Sequence, residues 1–133
     1  MLTRGFLTFS FIILTALYAN TASAAGDAKK GKKVFNKCKA CHAVKVGKNK
    51  TGPSLAGIVG KKAGTVEGYK KYKGLKGADW VWDEANLDGW LNNPKKWLKA
   101  KNGNKSRMVY KLKNTEKRAD LIAYLKTLVV EEK

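Results

Sequence analysis

The chain has 133 residues, of which 44% are hydrophobic, and 28 Lys and Arg face only 10 Asp and Glu, for a net charge of +18. This length predicts one domain with a modest core, and with only two prolines and no repeats it excludes an array of domains joined by linkers. So basic a chain predicts an acidic partner or surface.

Residues 1–24 have the pattern of a secretory signal peptide. Arg4 supplies a positive charge, residues 6–18 form a short apolar core, and an Ala-Ser-Ala run ending at Ala24 offers a cleavage site. The apolar core is shorter than the roughly 18 residues of a spanning helix, although an uncleaved membrane anchor is the alternative. We therefore expect a signal peptide over 1–24, a single mature domain over 25–133 and a periplasmic location.

The first helix of the mature chain is predicted over 28–39. Asp27 is a typical N-cap, and Val34 and Phe35 are expected to face the interior while the many lysines face water. This lysine-rich segment leads directly into the only two cysteines of the chain.

Those cysteines belong to the run Cys38-Lys39-Ala40-Cys41-His42. Two thiols separated by two residues and followed by histidine form the pattern that attaches a c-type haem. Each thiol adds to one porphyrin vinyl group, and the imidazole of the next residue binds the iron. Because His42 is the only histidine in the chain, we expect one covalent haem c on Cys38 and Cys41, with His42 as the proximal axial ligand.

Three other interpretations of the two cysteines are weaker. In an oxidising compartment they could form a disulfide, or a thioredoxin-like redox pair. The second needs a β-α-β context, whereas the motif here lies between a helical segment and a loop containing Gly and Pro. A structural zinc site needs about four Cys or His ligands, and the mature chain has three.

The middle of the chain predicts loops followed by two helices. Residues 43–81 are rich in Gly and Lys and show no strong periodicity. Asp83 can cap a helix that begins at Glu84 and ends near Asn93, with apolar residues at i, i+3 and i+4. Pro94 disfavours helix in the residue before it and suits the first position of a new short helix.

Met108 is the only methionine left once Met1 is removed with the signal peptide. A lone methionine is usually core filler, but a haem bound by one histidine needs a group on its distal face. A thioether favours ferrous iron and raises the reduction potential. We therefore expect Met108 to be the distal axial ligand.

The last predicted helix begins near Asn114 or Thr115. Its apolar residues, from Leu121 to Val129, form one broad face. With four helices and no strand pattern, the fold class is all-α.

Together these motifs resemble a small bacterial class I cytochrome c, over nearly the whole mature chain. Gly31 and Phe35 match the small and aromatic pair of the family's first helix, which packs on the last helix. The segment 51–55 resembles the loop whose proline carbonyl, here that of Pro53, accepts the N–H of the axial histidine. Trp82 matches the tryptophan that donates to a haem propionate.

The resemblance also has departures. The family often has Pro-Gly-Thr-Lys before the distal methionine, whereas this chain has Lys-Ser-Arg before Met108, and the segment 98–107 resembles the insertion of longer bacterial members. Trp90 stands where a tyrosine often lies near the methionine sulfur, and its indole N–H either donates in that place or simply packs. Tyr72, with altered spacing, is the candidate for a propionate-binding tyrosine.

The resemblance implies a cytochrome c fold of four to five helices around one haem, and a soluble, monomeric one-electron carrier rather than an enzyme. It also implies redox partners: a quinol-oxidising cytochrome complex or dehydrogenase as donor, and a terminal oxidase or reaction centre as acceptor. Acidic docking sites on these partners would meet lysines near the haem edge: Lys37, Lys39, Lys48, Lys61, Lys95 and Lys96.

Other functions stay open at this point. The long segment 98–107 motivates a haem enzyme or ligand binder with an open distal site, such as a peroxidase or a gas binder. A thiol-disulfide protein is the second rival. Transient association with an anionic membrane surface is an alternative use of the charge, because each Lys or Arg near such a surface contributes roughly 1 kcal/mol. Nucleic acid, the general partner of basic proteins, is not expected to meet a secreted haem domain.

Overall fold

A computed structural model describes residues 25–70 and 72–130. Within them lie four helices: α1 (Ala28–Val34), α2 (Glu84–Asn92), α3 (Pro94–Asn102) and α4 (Thr115–Lys126), with one 3₁₀ turn at Phe35–Lys37. This confirms the all-α prediction. The expected signal peptide at 1–24 lies outside the described residues. None of the helices in the described part of the chain is long and apolar enough to cross a membrane.

Helix α1 is shorter than the predicted 28–39. The Asp27 side chain caps it by accepting from Lys29 N at 2.7 Å and Lys30 N at 3.1 Å. The helix ends at Val34, and the chain tightens into the 3₁₀ turn, where Cys38 N donates to Phe35 O at 2.8 Å. The periodicity of the lysines continues through this turn, which is why the sequence overstates the helix.

Helices α2 and α3 have the predicted caps. Asp83 accepts from Asn86 N at 2.8 Å, and Asn93 accepts from Lys96 N at 3.2 Å, immediately before Pro94 opens α3. Gly103 ends α3 in the left-handed region with φ 76°, a conformation in which a Cβ is strained. The local capping residues therefore predict the start and end of α2 and the start of α3 correctly.

Helices α1 and α4 cross in close contact at Gly31. A Cβ on Gly31 would collide with the Asp120 carbonyl oxygen and approach the Tyr124 side chain. One turn further on, the rings of Phe35 and Tyr124 pack with centroids 5.3 Å apart. The predicted packing of Gly31 and Phe35 on the last helix is confirmed.

Arg118 joins α4 to α2 and to the segment that precedes α4. Its side chain is only 8% exposed, and its Nε lies 2.6 Å from Asp88 Oδ1. Its Nη1 also donates to Leu112 O at 3.0 Å and Lys113 O at 2.8 Å. Burying a guanidinium is costly unless its N–H groups are paired. Because the Arg118 partners lie on α2 and on residues 112–113, these bonds fix how the chain enters α4.

Candidate cofactor site

One large cavity of about 890 Å³ opens among the helices and the 43–81 loops. This volume lies in the range of roughly 300–1,000 Å³ that small-molecule and cofactor sites occupy. Most of its wall is apolar, and it includes residues of the hydrophobic core: Phe35, Ile58, Leu87, Leu91, Leu121 and Leu125. The hydrophobic core therefore forms much of the cavity wall.

The two cysteines and the histidine reach this cavity from a single turn of chain. Cys41 N and His42 N both donate to Cys38 O, at 3.1 and 2.9 Å. Residues at i, i+3 and i+4 lie on one face of such a turn, and all three line the cavity. Both thiols are free, so they are available for bonds to a third group.

Burial, with a smaller effect of the neighbouring Cys41 thiol, raises the pKa of the Cys38 thiol to about 11. Reactive redox thiols have lowered pKa values. The environment of Cys38 thus does not suit the thioredoxin-like alternative.

The imidazole of His42 is oriented by a hydrogen bond. Its Nδ1 lies 2.8 Å from Pro53 O. A carbonyl oxygen only accepts, so Nδ1 carries the hydrogen and Nε2 keeps a free lone pair. Burial lowers the pKa of His42, an effect that the Pro53 bond opposes and the nearby charge of Lys50 reinforces. The ring is therefore neutral at neutral pH, the form that binds a metal.

The loop that carries Pro53 is fixed on both sides. Gly52 N donates to Cys41 O at 2.8 Å, and Tyr69 Oη donates to Thr51 O at 2.6 Å. Gly52 lies so close to the His42 ring that a Cβ there would collide with it. Tyr69 has no local sequence pattern that indicates this role, because its partner is 18 residues away.

Met108 also lines the cavity, and its sulfur has a hydrogen-bond donor. Trp90 Nε1 lies 3.1 Å from Met108 Sδ, so the indole N–H donates to the sulfur rather than merely packing beside it. Met108 N in turn donates to Ser106 Oγ at 3.1 Å. Helix α2 thus supplies the group that orients the Met108 thioether.

The remaining predicted residues, Trp82 and Tyr72, also line the cavity. Trp82 is buried and lines the cavity, with its ring centroid 5.2 Å from that of Trp90. Tyr72 lines the cavity as well, but its hydroxyl donates to Lys105 O at 3.2 Å. Burial raises the pKa of Tyr72, against the effect of hydrogen bonds from the 106–107 segment.

All charged residues among the described lining residues are basic: Lys37, Lys50, Lys95 and Arg107. Two of them, Lys37 and Lys95, belong to the predicted docking set. The other four lysines of that set are exposed but do not line the cavity. Lys50 and Arg107 line the cavity but were not in the predicted docking set. Their sequence positions, close to Pro53 and next to Met108, are the signal that could have indicated them.

These donors fit a covalently held haem. The cavity brings together two free thiols at the required spacing, an imidazole with a free Nε2 and a thioether whose orientation is set by Trp90. No group of three or more His, Cys, Asp or Glu in 25–70 and 72–130 is arranged to hold a metal ion by itself. The donor set is thus that of a macrocycle-bound iron.

Comparison with known proteins gives the same answer. The family model "Cytochrome c" matches residues 28–129. Cytochrome c-550 of Paracoccus versutus is 44% identical over 115 residues, covering 75% of this chain and 73% of that protein. Cytochrome c2 of Rhodospirillum rubrum is 37% identical over 132 residues, covering 94% of this chain and 98% of that protein.

The structure of cytochrome c2 from Rhodobacter sphaeroides superposes with a TM-score of 0.72 at 34% identity, covering 80% of this chain and 99% of that one. The chain belongs to the cytochrome c family. It is an electron-transfer haem protein with one covalent haem c, and not an enzyme. The predicted fold, cofactor and function are confirmed.

Proposed function

We propose that this chain is a periplasmic electron shuttle whose haem is bound by thioethers to Cys38 and Cys41 and by His42 Nε2 and Met108 Sδ as axial ligands. The observation that carries the proposal is that His42 and Met108 line the same cavity while each has its own orienting partner, Pro53 O and Trp90 Nε1. The proposed processing leaves the domain 25–133 as the mature protein.

The residues of this site bind and orient the haem and do not themselves react. When bound, haem iron supplies the single-electron exchange between ferric and ferrous states. Pro53 keeps the His42 proton on Nδ1 and makes Nε2 a stronger donor. The Trp90 N–H restricts the rotation of the Met108 side chain. Trp82 and the apolar wall exclude water, which reduces the rearrangement that accompanies a change of charge.

The partners are proposed to be redox proteins with acidic docking sites: a quinol-oxidising complex or dehydrogenase as donor, and a terminal oxidase or reaction centre as acceptor. The basic cavity lining, with Lys37, Lys50, Lys95 and Arg107, supports this. Opposite charge accelerates encounter by about 10–10³-fold, while redox complexes keep small interfaces.

The test is a spectrum of the protein purified from a periplasmic fraction. We expect the mass of the chain from Ala25 plus one haem, and in the ferric form the weak red band of sulfur-to-iron charge transfer. Met108→Leu should abolish the band and allow fast cyanide binding at low concentration, whereas Val129→Leu, 78% exposed and not part of the cavity lining, should change neither. A wild-type protein without the band, or a Met108→Leu protein that keeps it, would refute the proposed ligation.

A further inference from the structure

The segment that leads to Met108 is fastened to a loop far away in sequence. Asn102 Nδ2 donates to Gly74 O at 3.2 Å, and Asn104 Nδ2 donates to the same oxygen at 3.0 Å. A carbonyl oxygen has two lone pairs, and the two amides occupy both. Gly74 is buried, so without these amides its carbonyl oxygen would lose both donors.

The two asparagines also order one another. Asn104 N donates to Asn102 Oδ1 at 3.0 Å, across Gly103, which reverses the chain in the left-handed region. Each amide group therefore uses its donor toward Gly74, and Asn102 additionally uses its oxygen within the turn. At residue 102 this arrangement needs a side chain that both donates and accepts, as the amide of Asn does.

A third bond lies closer to Met108. Tyr72 Oη donates to Lys105 O at 3.2 Å, and the next residue, Ser106, is buried and accepts from Met108 N. Gly74 leaves room for this arrangement, because a Cβ there would collide with the Tyr72 hydroxyl. The segment from residue 102 to Met108 is thus held by hydrogen bonds at residues 102, 104, 105 and 106.

We propose that Tyr72, Asn102 and Asn104 are positioning residues that fasten the 102–107 segment to the 72–74 loop and so keep the Met108 sulfur beside Trp90. The inference rests on the proposed ligation by Met108. A segment of this length that loses its fastening regains conformational freedom, and the sulfur then leaves the cavity more often. In this role the three residues act indirectly, by fixing the backbone before Met108, and not by contact with the cofactor.

The experiment measures imidazole binding to the ferric holoprotein, a reaction that requires release of the distal ligand. Asn102→Ala together with Asn104→Ala should accelerate binding by about tenfold, in proportion to the bonds lost. Asn102→Asp and Asn104→Asp keep the shape but remove the N–H donor, and should behave like the alanine variants. Tyr72→Phe should give a smaller acceleration, and it serves as the second variant if the double variant does not fold.

The matched control is Asn114→Ala. Asn114 caps α4 by accepting from Lys117 N at 2.8 Å and has no part in the fastening. Its loss lowers the stability of the whole domain, so an acceleration caused by general loosening would also occur in Asn114→Ala. We expect the control to bind imidazole at the wild-type rate.

Hydrogen exchange of the Met108 amide is a second readout that does not depend on ligation. The variants at residues 72, 102 and 104 should raise it, and Asn114→Ala should raise it far less. Wild-type exchange and wild-type imidazole rates in the alanine and aspartate variants would overturn the proposal. If the wild-type ferric protein lacks the red band, the proposed ligation fails, and the exchange result alone then decides whether the segment is fastened.

Discussion

Each of the two proposed axial ligands is oriented by one hydrogen bond, and the two bonds have opposite electronic effects. Donation from His42 Nδ1 to Pro53 O increases the basicity of Nε2. Donation from Trp90 Nε1 to Met108 Sδ withdraws electron density from the sulfur. With a haem bound as proposed, the first would strengthen the bond from His42 to ferric iron, and the second would weaken the bond from Met108. Pro53 and Trp90 would thus shift the reduction potential in opposite directions.

Trp90→Phe isolates the second of these effects. An aromatic ring remains, but the indole N–H is lost, and the Met108 sulfur is expected to become a better donor to ferric iron. We expect the reduction potential to fall, by up to about 40 mV if a bond of about 1 kcal/mol is lost entirely in one oxidation state. Redox titration measures it.

The matched control is the same substitution at Trp97, which leaves the bond between Trp90 and Met108 in place. Its ring lies 5.9 Å from that of Trp90, so it tests whether any change of packing in this region shifts the potential. A potential that rises or stays constant in Trp90→Phe would contradict the assigned effect.

At the scale of helices and loops, the sequence predicts what is decided locally. The caps at Asp83, Asn93 and Asn114 act over three residues, so the starts of α2, α3 and α4 can be read from the chain. The bonds from Asn102 and Asn104 to Gly74 span 28 and 30 residues. Neither an asparagine at the end of a helix, such as Asn102, nor one in a polar loop, such as Asn104, has a local pattern that indicates such a distant partner. This part of the site therefore could not be predicted.

The crossing of α1 and α4 is tested by Gly31→Ala. Alanine is the better helix former by about 1 kcal/mol, but its Cβ would collide with the Asp120 backbone of α4. We expect the collision to prevail and the free energy of unfolding to fall by roughly 1–3 kcal/mol. Denaturant unfolding measures it, with Lys32→Ala on the exposed side of the same helix as control. A Gly31→Ala protein as stable as the wild type would contradict the close crossing.

The cap of α1 predicts a dependence of stability on pH. Hydrogen bonds from Lys30 N and Lys29 N hold the pKa of Asp27 below its usual value of 3.8. The stabilisation by its carboxylate is therefore complete above that value and is lost as the pH falls through the lower pKa of the folded state.

Asp27→Asn keeps a capping oxygen that does not titrate. Between about pH 5 and pH 2, the free energy of unfolding of this variant should fall less steeply than that of the wild type. Urea midpoints across this range measure the difference, with Asp79→Asn, an exposed carboxylate outside the helices, as control. Parallel curves for Asp27→Asn and the wild type would contradict a role of the charged form.

For the whole molecule, we expect the cavity to make folding depend on the cofactor. Core residues such as Phe35 and Leu121 form its wall. Without a cofactor, the apolar wall of this cavity of about 890 Å³ would face water, at a cost of roughly 25 cal/mol for each Å² left exposed.

We therefore expect Cys38→Ser with Cys41→Ser, which prevents attachment, to abolish cooperative thermal unfolding followed by near-UV circular dichroism. Met108→Leu leaves attachment intact and should keep a cooperative transition. A double serine variant that unfolds as cooperatively as the wild type, without haem, would show that the chain closes the cavity by itself.

The charge of the molecule predicts how it meets its partners. Electron-transfer rates with an acidic redox protein should fall as ionic strength rises, because salt screens the attraction over about 10 Å at 0.1 M. Lys95→Glu, at the cavity, should lower the rate at low salt more than Lys117→Glu on α4, although both change the net charge equally. Stopped-flow kinetics distinguish the two, and equal effects would assign the attraction to net charge rather than to this surface.

The tryptophans give the molecule an optical property of its own. The chain has four, and all of them, Trp80, Trp82, Trp90 and Trp97, lie in one cluster with ring centroids 5.2–6.2 Å apart. Two of them line the cavity. A haem bound there would quench the fluorescence of all four tryptophans at once. Weak tryptophan emission would therefore indicate a folded chain that holds its haem, and a rise in emission would report the opening of its interior.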